Sequence, residues 1–144
     1  MEAKKEKKGI HRSDCPISSA LDFFGDKWSL LIIRDIVYFG ERTFKDFSQA
    51  DEGISSARLA DRLTRLESLG IITKRNHPEN KKVYLYNLTQ KGLDLFPIIA
   101  EYILWSDKYL NDHISEQAKA FAAQLKANKQ ATIEYINSQV KIEE

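Results

Sequence analysis

Between Gly53 and Leu88 the apolar residues change period, and this change constrains the fold more than any other feature of the chain. In GISSARLADRLTRLESLG (residues 53–70), Leu59, Leu63 and Leu66 fall within one narrow stripe of a helix, with Leu69 at its edge. Ser55 is placed to cap that helix and Gly70 to stop it. The pattern then turns strand-like. ITKRN and VYLYNL are rich in β-branched and aromatic residues and flank the polar bend HPENKK, so they predict a hairpin.

Helices are expected on both sides of this unit. Asp14-Cys15-Pro16 is a helix start, with Pro16 at the first helical position, where its missing N–H costs nothing. The helix should run through Leu21 and Phe24 and stop near Gly25. WSLLIIRDIVYF, from Trp28 to Phe39, is apolar almost all round, the pattern of a central buried helix. Thr43 can cap a short helix, FKDFSQA, followed by a turn at Asp51–Gly53. Thr89 can cap a helix from Gln90 to Leu110, and a last helix should begin after Ser115. The order of parts predicts a mainly α fold with a small β-hairpin wing, a winged helix-turn-helix with flanking N- and C-terminal helices for dimerisation. The expected division is a basic disordered tail over 1–13, a winged-helix domain with dimerisation helices over 14–110, and a helical extension over 111–144.

Net charge is only +1, so charge matters here through its distribution. Residues 53–82 hold seven basic side chains (Arg58, Arg62, Arg65, Lys74, Arg75, Lys81 and Lys82) against three acidic ones. A second basic cluster lies in the first twelve residues. Arg58, Arg62 and Arg65 form a stripe beside the leucines. Such a stripe can be a solvated flank whose aliphatic stems cover apolar surface. It can also face nucleic acid, and a short helix, a tight turn, an arginine-striped helix and a basic hairpin are the parts of a DNA-reading module. In that case the helix start enters the major groove, placing Ser55, Ser56 and Arg58 at base edges. Arg62 and Arg65 are then phosphate contacts or partners of acidic neighbours. Lys81 and Lys82 would lie along the backbone or in the minor groove.

These residues resemble the HxlR-type family of bacterial winged-helix transcriptional regulators. The resemblance rests on Cys15-Pro16; on GDKWSLLIIRDI with Gly25, Lys27 and Trp28; and on RTFKDF with Phe44 and Phe47. It continues through the run from Gly53 to Ile72 and through Tyr86, Leu88, Thr89 and Gly92, so it covers residues 13 to 110. It implies a homodimer on a pseudo-palindromic operator in double-stranded DNA. The chain departs from the family at the second wing strand, Lys82-Val83-Tyr84-Leu85-Tyr86, and in the extension after residue 110. A dimer also has physical support. In the helix from Gln90, Leu93, Phe96 and Ile103 lie on one side, and Leu95, Ile98, Tyr102, Trp105 and Tyr109 favour another. A helix apolar on two sides needs two partners, either a second chain or the C-terminal extension.

Cys15 is the one cysteine, which excludes an internal disulfide framework and suits a reducing, cytoplasmic setting. At a helix start it is placed as a redox or electrophile sensor, or it is an inert cap residue. Some members of the resembled family sense oxidants through an N-terminal cysteine, so a small-molecule or oxidant effector is a further expected partner. Other classes find less support. His11, His77 and His113 are scattered, so no metal site and no cofactor is expected. No phosphate loop or nucleophile elbow marks an enzyme, and no apolar run is long enough for a membrane span. The alternatives are a winged helix used for protein–protein contact and a small-molecule-responsive regulator of the multiple-antibiotic-resistance (MarR-like) type.

Overall fold

The structure is a computed structural model, and it describes residues 11–144. Most of the basic tail expected over 1–13 lies outside them. The described elements are α1 (Pro16–Phe24), α2 (Ser29–Phe39), α3 (Phe44–Ser48), α4 (Ser56–Ser68), β1 (Ile72–His77) and β2 (Asn80–Leu88). They continue with α5 (Gln90–Leu93), α6 (Phe96–Tyr109), α7 (Glu116–Ala127) and α8 (Lys129–Gln139). The architecture is a winged helix-turn-helix, mainly helical with one antiparallel hairpin.

The core forms where the leucine stripe of α4 meets the other elements. Leu59, Leu63 and Leu66 are buried with Ile32, Ile33 and Ile36 of α2, Phe47 of α3, Ile71, Ile72, Tyr86 and Leu88 of the wing base, and Leu93, Phe96 and Ile99. The α2 helix is enclosed on less than its full circumference. Tyr38 and Phe39, expected inside, are exposed at its end. Apolar composition predicts burial all round, but within the last turn only one side has neighbours, so Ile36 is fully buried while Tyr38 and Phe39 are exposed.

Caps placed by local chemistry appear where the sequence puts them. Cys15 is the N-cap of α1 with Pro16 next. Thr43 and Asp46 form a reciprocal capping box on α3. Ser55 accepts a hydrogen bond from the Arg58 N–H at 3.3 Å. Gly70 follows α4 with φ of 74°, a conformation that glycine adopts without steric cost. Thr89 joins the two halves of the fold: its hydroxyl donates to the Gly70 carbonyl at 2.6 Å and accepts from the Gly92 N–H at 3.2 Å. A Cβ on Gly92 would lie 2.2 Å from the Ile71 carbonyl oxygen, so only glycine allows this approach.

The hairpin is longer than ITKRN and VYLYNL. Pairing runs from Ile72↔Leu88 to Asn76↔Tyr84, then shifts at His77↔Asn80. Polar side chains extend it into the bend, with Asn76 donating to the Lys81 carbonyl at 2.8 Å and the Lys82 N–H to Asn80 at 3.1 Å. At the base, Arg42 and Tyr86 pair through both backbone bonds, at 3.1 and 2.8 Å.

Two expectations about the C-terminal half need correction. The helix expected over Gln90–Leu110 is divided after Leu93. Pro97 has no N–H to give to the Leu93 carbonyl and its ring crowds that position, so the chain turns there and restarts at Phe96. The single helix expected after Ser115 is two helices. Ser115 does cap α7, but Asn128 leaves helical geometry and caps α8, accepting from the Ala131 N–H at 3.0 Å.

Candidate nucleic-acid interface

The start of α4 projects from the fold while the rest of the helix is held by it. Ser55, Ser56 and Arg58 are exposed, and no carboxylate pairs with Arg58 among the described residues. The Ser55 oxygen is occupied in part by its cap bond, so its hydroxyl proton remains to be donated. Ser56 and Arg58, one turn of exposed donors, can meet base edges or phosphates.

The other two arginines of the stripe are fastened to the scaffold. Arg62 pairs with Asp61 and, at 3.3 Å, with Asp26. Asp26 accepts from the N–H groups of Trp28 and Ser29 at 3.0 and 2.9 Å and from the Ser29 hydroxyl at 2.6 Å. Burial works to raise the Asp26 carboxyl, but the Ser29 hydroxyl, these two N–H groups and the Arg62 charge outweigh it and hold it below the ordinary range. Arg65 donates to the Asp22 carbonyl at 2.5 Å, against α1. The stripe therefore divides, with Arg58 available and Arg62 and Arg65 serving as braces.

The turn before α4 has its own brace, which the sequence did not reveal. Arg34 of α2 grips Glu52 through two nitrogens, each at 3.0 Å, and also bonds Asp35 at 2.9 Å. Its hydrogen bonds draw the Glu52 carboxyl below the usual range. The available signal was a charged pair, Arg34-Asp35, inside an otherwise apolar helix. Lys27 was also missed. It is exposed, its ammonium lies 5.3 Å from the Trp28 ring centre, and it shares a surface hollow with Ala57, Arg58 and Asp61. It adds a second cation beside Arg58, brought there from the α1–α2 turn.

On the wing, Lys81 and Lys82 are exposed beside the turn, as the sequence placed them. Lys74 lies 4.0 Å over the Tyr84 ring. Arg75 is held by Glu41 at 2.5 Å and Glu143 at 3.1 Å.

Two further regions bear on partners. On α6, Tyr102, Trp105 and Tyr109 are 60%, 58% and 60% exposed. The extension packs on another side of the same helix, with Phe121 edge-on to Phe96 at 6.3 Å and Leu125 buried, so it leaves this aromatic face open. Cys15 is exposed at the start of α1. Arg12, three residues before it, pairs with Asp22 at 2.6 Å. Among the described residues no three His, Cys, Asp or Glu side chains gather as a metal site, and no helix is long and apolar enough to cross a membrane.

A model of the HxlR-like helix-turn-helix family matches residues 23–114. The uncharacterized HTH-type transcriptional regulator MT3179 of Mycobacterium tuberculosis is 34% identical over 94 residues, 65% of this chain. That match spans 58% of the relative's own length. The crystal structure of PA1607 aligns with a TM-score of 0.62 at 30% identity, over 73% of this chain and 70% of that one. The reduced form of the transcriptional regulator YodB from Bacillus subtilis aligns with a TM-score of 0.55 at 32% identity, over 67% of this chain and 95% of that one. The matched span contains the helix-turn-helix, the Arg62–Asp26 brace on α4, the Arg34–Glu52 brace before it and the whole wing, and the chain belongs to the HxlR-like helix-turn-helix family.

Proposed function

We propose that the protein is a transcriptional regulator that binds a pseudo-palindromic operator in double-stranded DNA as a homodimer. The observation that carries this reading is the division of the arginine stripe: α4 is fixed by Leu59, Leu63, Leu66, Arg62 and Arg65, and it presents beside Ser55 and Ser56 an exposed Arg58 with no carboxylate partner among the described residues. A helix held this rigidly can enter a major groove at a set angle. Ser55, Ser56 and Arg58 read base edges, with Lys27 close by on the DNA backbone. Lys81 and Lys82 contact the backbone or minor groove. Arg62 and Arg65 act as braces. Names of relatives such as MT3179 and YodB support a regulatory role.

The open face of Tyr102, Trp105 and Tyr109 supports pairing with a second copy, since two-fold symmetry then matches two half-sites. Selection of bound duplexes from a random pool at fixed salt tests the reading as a whole. The expected product is a two-fold symmetric sequence with half-site centres about one helical turn, roughly 10–10.5 base pairs, or a multiple apart. A winged helix used only for protein contact would enrich no motif.

The finer part of the proposal is that Cys15 makes operator binding sensitive to oxidants or electrophiles. Its exposure at a helix start supports this, as does the likeness to YodB, which has been solved in reduced, diamide-treated and quinone-bound forms. With a single cysteine per chain, a disulfide here joins two chains or a chain and a small thiol. Diamide or a quinone is expected to release the protein from its operator, and Cys15→Ser to abolish that release. Equal release from Cys15→Ser protein would remove Cys15 from the account.

A further inference from the structure

The segment after α8 is bound to the wing by specific polar contacts. Val140 and Ile142 are half-buried against the core cluster, which brings the backbone of residues 140–144 alongside the outer edge of β2. There the Glu143 N–H donates to the Leu88 carbonyl at 2.8 Å. The Glu143 side chain reaches across to β1, where one oxygen accepts from the Thr73 hydroxyl at 3.1 Å and the other lies 3.1 Å from Arg75 Nε. Glu144 follows, accepting from the Gln90 N–H at 3.0 Å.

The contact changes the charge of the wing. Arg75 is one of the seven cations of residues 53–82, and it lies between Glu41 and Glu143. One guanidinium between two carboxylates has a formal charge of −1, so Glu143 carries the site past neutrality. Thr73 and Arg75 share a face of β1, opposite Ile72 and Lys74, as strand alternation requires. The segment therefore covers one face of the wing base and leaves Lys74 and the lysines near the tip uncovered. These contacts come from the extension, beyond the family match at 23–114.

We propose that residues 140–144 form an acidic clasp that restrains DNA binding by occupying Arg75. The inference rests on the DNA-binding reading above. A carboxylate and a phosphate oxygen compete for the same cation, and here Glu143 stands as an ion-pair partner 3.1 Å from Arg75 Nε while Glu41 takes a terminal nitrogen. The clasp is exchangeable. Arg75 and Glu143 are each 37% exposed at the side chain, and ion pairs that exposed are weak in water. When the clasp opens, Arg75 keeps Glu41 as its one carboxylate partner, so the site passes from a formal charge of −1 to neutral and the guanidinium edge that faced Glu143 is opened to the backbone. The extension thus sets how strongly the wing holds any duplex, while the start of α4 sets which duplex is preferred.

The test is a salt titration of random-sequence duplex binding by four proteins that span residues 1–144: wild type, Glu143→Gln, Arg75→Gln/Glu143→Gln and Glu134→Gln. Glutamine at 143 keeps the backbone bond and can still bond Thr73, so folding is preserved and is checked by thermal melting. Glu134 is exposed on α8, bonded to Gln130 at 2.9 Å, and its substitution changes net charge equally without touching the wing. Glu143→Gln is expected to bind about tenfold more tightly at 50 mM salt and about threefold at 200 mM. The advantage shrinks because each newly neutralised phosphate steepens the log–log slope by about 0.9. Glu134→Gln should match wild type, and the double variant should lose the gain. Glu143→Gln binding no tighter than Glu134→Gln, or a gain that persists without Arg75, overturns the clasp. Weaker binding by Glu143→Gln overturns it as well, leaving the segment as a support for the wing. A wild-type protein without salt-dependent duplex binding would instead refute the DNA-binding reading, and the restraint with it.

Discussion

Trp105→Ala is expected to convert the protein to single chains at concentrations where the unaltered protein is paired. Trp105 is 58% exposed and lies tilted against Tyr109 with ring centroids 5.2 Å apart, Tyr109 itself being 60% exposed, so most of this aromatic surface meets no other part of its own chain. Aromatic side chains clustered on an open face are the usual energetic centres of interfaces, and truncating one costs about 2–4 kcal/mol of association. The dimer dissociation constant should therefore rise by roughly 30-fold or more. More than half of Trp105 is exposed in the single chain and it is not part of the core cluster, so helix content and core packing should change little. Sedimentation at several concentrations gives the result directly. An unchanged dimer after Trp105→Ala would show that the chains pair through another surface, and an unaltered protein that is always monomeric would remove the dimer from the account.

What the sequence made legible was local. The leucine stripe of α4 and the caps at Thr43, Ser55, Thr89 and Ser115 depend on residues within a turn of one another, and each is present. The helix break at Pro97 is written in the sequence too, as a residue without an N–H inside an apolar pattern that runs on from Leu93 to Tyr109. Asn128 was likewise a visible capping residue within an amphipathic stretch. The remaining misses were not local. Arg62 meets Asp26, Arg34 meets Glu52, and Arg75 meets Glu143, and no periodicity links such distant carboxylates to their arginines. These pairings decide which cations of a basic segment are available to a partner. The sequence could set Arg58 apart from Arg62 and Arg65, the latter two as phosphate contacts or partners of acidic neighbours, but only the fold shows that Arg62 is fastened to Asp26 and Arg65 to the Asp22 carbonyl.

The separation has a measurable consequence at Arg58. Its guanidinium stands at the exposed start of a helix braced at its core and flank, and no carboxylate among the described residues competes for it. If that guanidinium bonds a guanine through O6 and N7, its loss removes about 1–3 kcal/mol from binding to the selected operator. The same loss leaves non-specific binding less affected, because one phosphate contact contributes far less than a bidentate base contact. The ratio of operator affinity to random-duplex affinity should therefore fall by roughly five- to 150-fold in Arg58→Ala. That ratio, measured for both proteins at one fixed salt concentration, tests the reading role of α4 most directly. The account predicts that Arg58→Ala collapses the ratio while random-duplex binding is largely kept. An equal loss on both duplexes, or no loss on either, would contradict it.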